Sequence, residues 1–98
     1  MNILISESKL SNIIFKYLDE REYELKKFMS GNIELQEKSS GKSLIIYFED
    51  EYGCYIKQRL VDDVSYFFSI NNHASMTIIA EWFRKLTGVK INSVYNVV

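Results

Sequence analysis

The stretch that most constrains this chain is Leu44-Ile45-Ile46-Tyr47-Phe48, the only five consecutive apolar residues with turn signals on both sides. An uninterrupted β-branched and aromatic run fits a strand covered on both faces, because a half-exposed strand alternates apolar with polar. It is read here as the central strand of a sheet. Before it, Ile33, Leu35 and Glu37 alternate with Glu34, Gln36 and Lys38, which predicts a half-buried edge strand over 33–38 closed by Ser39-Ser40-Gly41-Lys42. After it, Glu49-Asp50-Glu51-Tyr52-Gly53 reverses the chain, and Cys54 to Arg59 returns as a third strand of an antiparallel meander.

The flanking segments carry helical periodicity. Ile3 and Ile5 fit a short edge strand, after which Ser6 is a good N-cap and Glu7 faces the positive end of the helix dipole. Leu10, Ile13, Ile14, Tyr17 and Leu18 then form one stripe. The charged run 19–27 reads as the solvated surface of the same helix, with Glu22 and Lys26 at a favourable spacing. Leu25, Phe28 and Met29 resume the stripe, so the helix is expected to run, with a kink, to Gly31.

At the other end, Ile79, Trp82, Phe83 and Leu86 predict a helix over about 74–87, capped by Asn72 or Ser75, with Arg84 and Lys85 in its last turn and Gly88 beyond it. Residues 60–70 fit two templates. Leu60, Val61, Val64, Phe67 and Phe68 suit a helix, while Val64, Tyr66, Phe68 and Ile70 suit a strand. Asp62-Asp63 favours a helix N-terminus, so a short helix is the reading and a fourth strand the alternative. The tail 89–98 has no clear period and fits an edge strand or a segment docked on a neighbour.

The chain has room for one domain, residues 1–98, and no second core. Twelve basic residues against 13 acidic ones give no field strong enough to predict nucleic-acid or membrane binding. The basic surplus is confined to Arg84, Lys85 and Lys90, opposed after residue 63 by Glu81 alone. One cysteine closes no internal disulfide, and the apolar start is too short for a signal peptide, so the expected location is a host cytoplasm or a virion.

No pattern of catalytic or ligand chemistry stands out. His73 is the only histidine, which excludes a multi-histidine metal site within one chain, and it reads as a loop or capping residue. Cys54 reads as a buried or half-buried strand thiol, because a nucleophile would need His73 beside it and an electropositive setting. Glu49-Asp50-Glu51 lacks the ligand order of a calcium loop, and Asp62 and Asp63 point in different directions from adjacent positions. No phosphate loop, nucleophile elbow or zinc spacing occurs. The expectation is therefore a non-enzyme with no catalytic residue, cofactor or metal. What does stand out is aromatic content, seven Tyr, six Phe and one Trp, because large rings bury area at interfaces at low entropic cost. Tyr47, Tyr52 and Tyr55 around the second turn, with Arg84, Lys85 and Lys90, make the candidate interaction surface.

The opening Ile5-Ser6-Glu7-Ser8-Lys9-Leu10, the amphipathic helix and three strands that follow, and the closing Phe68-Ser69-Ile70 with Ile78-Ile79-Ala80-Glu81-Trp82-Phe83 together resemble small uncharacterised proteins of tailed bacteriophages. The resemblance implies a helical 61–69 and a virion or host-takeover role, and carries over no site. The combined expectation is an α+β domain: a three-stranded antiparallel meander with a long N-terminal helix and one or two C-terminal helices packed on one face. Its expected function is that of a phage-type interaction or assembly protein that binds a protein partner or itself. The alternative is a nucleic-acid-associated or host-regulatory module using the basic C-terminal helix.

Overall fold

The computed structural model describes residues 7–98. In chain order it comprises α1 (Glu7–Asp19), β1 (Tyr23–Lys27), β2 (Ile33–Glu37), β3 (Ser43–Phe48), a 3-10 turn (Glu49–Glu51), β4 (Gly53–Lys57), α2 (Gln58–Phe68), α3 (Asn72–Thr87) and β5 (Ser93–Val97). The strands form one sheet in sequence order, with β1 to β4 antiparallel and β5 parallel to β4. A parallel neighbour needs a long crossover, and α2 and α3 supply it. The result is an α+β fold with three helices and a five-stranded mixed sheet.

The helices present their apolar stripes to one face of the sheet. Ile14 and Leu18 of α1, Leu60, Val61 and Val64 of α2, and Ile79, Trp82 and Phe83 of α3 pack with Ile33, Leu35, Ile45, Tyr47, Cys54 and Ile56 from the strands. Burying each large aliphatic side chain contributes roughly 1.5–3 kcal/mol. Three polar side chains drawn into this layer find partners there. The Trp82 Nε1–H donates to Asp19 Oδ1 at 2.8 Å, pinning α3 to the end of α1. The Tyr47 hydroxyl donates to the Lys90 carbonyl at 2.7 Å, holding the link from α3 to β5 against β3. Ser75, fully buried, donates to the Asn71 carbonyl and meets the Ser65 hydroxyl at 2.6 Å.

Several expectations need correction. The N-terminal helix does not run to Gly31, because α1 ends at Asp19 and β1 follows. Tyr23 and Leu25 alternate with Glu24 and Lys26, and the period of two prevails over the weak Glu22–Lys26 helix pair because Leu25 can then sit opposite Leu35. The half-buried Arg21 fixes the reversal by donating to Glu37 at 3.0 Å and to Asp63 at 3.1 Å. Gly31 does adopt a positive φ of 90°, but in the β1–β2 hairpin rather than at a helix end. With β1 present, β2 is interior and not an edge.

The meander of three strands is extended to five, by β1 on one side and by the tail, which takes the edge-strand reading as β5 beside β4, on the other. Residues 58–68 are helical, as the first of the two templates required. The cap of α3 is Asn71 rather than Asn72 or Ser75, its side chain accepting from the Ala74 N–H. The strand at residues 3 and 5 and the Ser6 cap fall outside the described residues.

The central run holds the middle of the sheet but is not covered on both faces. Leu44, Ile45 and Tyr47 are buried, whereas Ile46 is half-buried and Phe48 is 37% exposed on the opposite side. Adjacent Leu44 and Ile45 are both buried because the register shifts: Leu35 opposes Ile45 while Gln36 opposes Ser43, leaving Leu44 as a bulge residue.

Candidate interaction surface

The face of the sheet turned away from the helices has no covering element among the described residues. Cross-strand pairing assembles it: Lys26 opposes Glu34, Glu34 opposes Ile46, Ile46 opposes Tyr55, and Tyr55 opposes Tyr95. The β1–β2 half is thus polar and the β3–β5 half apolar. In that half Phe48 meets the Tyr55 ring edge-on at 5.2 Å, and Tyr55 stacks on Tyr95 at 4.7 Å with the planes 23° apart. These rings hold each other in place, so the surface they present is preformed. Tyr95 remains 45% exposed.

The two ends of this apolar strip carry opposite charge. At the β3–β4 turn Glu49, Asp50 and Glu51 are all exposed. Glu51 accepts the Tyr55 hydroxyl, a bond that pushes the phenol up to about 12. Tyr52, next in line, takes the left-handed conformation with φ 50°, and its carbonyl accepts from the Asn92 N–H at 2.9 Å, tying the start of β5 to the turn. Lys90 lies over the Tyr52 ring at 5.2 Å.

At the other end Lys42, Lys57 and Arg59 converge with Ser43, Gln58 and Val98 around a cleft of about 440 Å³. Arg59 reaches Glu37 at 3.4 Å, and the Lys57 ammonium donates to the Val98 carbonyl at 3.3 Å. Glu34 borders this end, its carboxyl held below the usual range by hydrogen bonds from Gln36 and Ser43.

The six residues expected to form one surface are divided by the fold. Tyr47 is corrected outright: it is 1% exposed and points into the helical layer, because its parity on β3 is that of Ile45. Tyr55 belongs to the open face, with Tyr52 and Lys90 at its acidic end. Arg84 and Lys85 lie on α3, on the helical side of the sheet. There Arg84 binds Glu81 through both its Nε and an Nη, and Lys85 sits over the Phe15 ring at 5.0 Å.

The residues missed were Ile46, Phe48 and Tyr95. The signal for Tyr95 was the alternation Ser93, Tyr95, Val97 against Val94 and Asn96, but nothing local says that this strand pairs with β4.

Elsewhere Tyr17 stacks on Phe67 at 4.8 Å and meets Phe68 edge-on, a second aromatic patch between α1 and α2 in which Phe67 is 64% exposed and the neighbouring Tyr66 is 90% exposed. Cys54 is fully buried on β4, while His73 is exposed on the first turn of α3. Among the described residues no three His, Cys, Asp or Glu side chains are grouped to hold a metal ion, and no helix is long and apolar enough to cross a membrane. No protein-family profile, curated protein or solved structure matches this chain.

Proposed function

We propose that this chain is a non-enzymatic binding module that docks another protein on the open face of its sheet. The observation that carries the reading is the ring set Phe48, Tyr55 and Tyr95, packed on one another beside Ile46 on a face that three helices leave free. Contiguous apolar area of this kind on a small domain marks a contact site, and tyrosines suit it by adding hydroxyls that bond at the rim. The role agrees with the virion or host-interaction part that the bacteriophage resemblance implies. The nucleic-acid alternative has less support, because the basic helix spends Arg84 on Glu81 and stacks Lys85 on Phe15.

Site-specific photo-cross-linking tests the reading. A benzophenone side chain at position 95, introduced in cells that make the protein, is expected to yield a discrete protein adduct, and the same group at position 16 on the exposed surface of α1 is not. Adducts from position 16 alone, or from neither position, would overturn the reading.

A further inference from the structure

We infer that the occupant of the open face is a second copy of this chain, related by a two-fold axis that lies in the interface and runs across the strands near Tyr55; this rests on the reading of that face as a protein-docking surface. β3 runs from the basic end, at Lys42 and Ser43, to the acidic turn at Glu49, and β4 runs back from that turn to Lys57. From Ser43 to Phe48 the two ends lie about 17 Å apart. That is roughly twice the screening length at physiological salt, so they act as separate patches.

Two sheets can meet face to face through a two-fold axis along the strands or across them. An axis along the strands leaves strand direction unchanged and sets acid on acid and base on base. An axis across the strands reverses direction, so Glu49, Asp50 and Glu51 of each copy meet Lys42 and Lys57 of the other, while the Tyr55 and Tyr95 rings, which lie in one row across the sheet, pack on their counterparts. Only the second arrangement pairs opposite charge at both ends of the strip, and an isologous contact of this type closes on itself at two chains. On the polar half, Glu34 and Lys26 lie in the Tyr55 row and come near their own counterparts. Aligned sheets pack about 10 Å apart, a gap that interdigitating side chains of this size fill. A nucleic-acid strand crossing the same rings would bring its phosphates against the acidic turn, where they are repelled.

Charge reversal tests this with the full chain in sedimentation velocity. The wild type is expected at twice the mass of one chain at about 100 μM. One variant, Glu49→Lys with Asp50→Lys, makes both ends basic. A second, Lys42→Glu with Lys57→Glu, makes both acidic. Each alone is expected to weaken self-association by about tenfold or more, and mixing the two is expected to restore a dimer, since opposite ends then meet at both contacts. Where a double variant loses its cooperative thermal transition, Asp50→Lys and Lys42→Glu singly carry the same comparison.

A wild type that stays at the mass of one chain overturns the inference, as do variants that dimerise unchanged or a mixture that fails to recover. With a monomeric wild type, a position-95 adduct to a different polypeptide refutes only the second copy and leaves the docking reading standing. No adduct at all removes both. Binding of a single-stranded oligonucleotide that releases with added salt also refutes the second copy.

Discussion

Cys54 and Tyr47 face each other across β4 and β3, and both titrating groups lie in the helical layer of the sheet. Burial pushes the thiol from 9.0 up to about 12 and raises the Tyr47 phenol as well. Tyr23, whose buried hydroxyl has no hydrogen-bond partner, is raised further for the same reason. All three have higher pKa values folded than unfolded. Their contribution to stability is therefore complete below the unfolded values and is lost as pH rises through the window from about 9 toward 12. The urea midpoint is expected to fall between neutral pH and about pH 10.5, and to fall less, relative to its own neutral-pH value, in Cys54→Ala, which removes one titrating group without adding an atom to the core. An equal drop in both proteins would show that the thiol is not part of the alkaline response. That Cys54 is a strand thiol was readable from its place just after a turn, but the choice between buried and half-buried is decided only by its pairing with Tyr47. That Tyr47 is buried was not, because a five-residue apolar run does not say which of its residues face which side.

At the scale of elements, the helices with their own period were legible and the strands that depend on a neighbour were not. α3 declares itself through Ile79, Trp82 and Phe83, all buried, and through Gly88, which takes the left-handed conformation with φ 76° after its last turn. Its start is fixed by Asn71, whose Oδ1 accepts from the Ala74 N–H at 2.8 Å. Asn71→Ala is expected to cost about 1 kcal/mol, read as a lower urea midpoint at an unchanged slope. β1 was hidden because Lys and Glu fill its alternate positions, so that its alternation looked like the polar face of a helix. Its partner β2 and the Arg21 link to Glu37 and Asp63, which lie 16 and 42 residues away in sequence, decide the matter. β5 was hidden for a related reason. A strand parallel to β4 is specified by contacts made across two helices, and its own five residues carry only a faint alternation.

For the whole molecule, three helices occupy one side of a five-stranded sheet and leave a strip of rings between an acidic and a basic end. The sequence pointed to aromatic contact and to Tyr55 but dispersed the rest of the surface, because helix position and sheet face are properties of the assembled fold. Arg84 and Lys85 looked available from composition and are engaged by Glu81 and Phe15. A docked protein on the open face shields its rings from water when the protein is assembled. Hydroxyl-radical footprinting reads this directly, since rings exposed to water are oxidised and Tyr66, 90% exposed on α2, serves as an internal reference. Diluting the assembled protein is expected to raise oxidation of Phe48 and Tyr95 while Tyr66 stays constant. Phe48 and Tyr95 oxidised equally before and after dilution, or protection that falls on Tyr66 instead, would contradict the account.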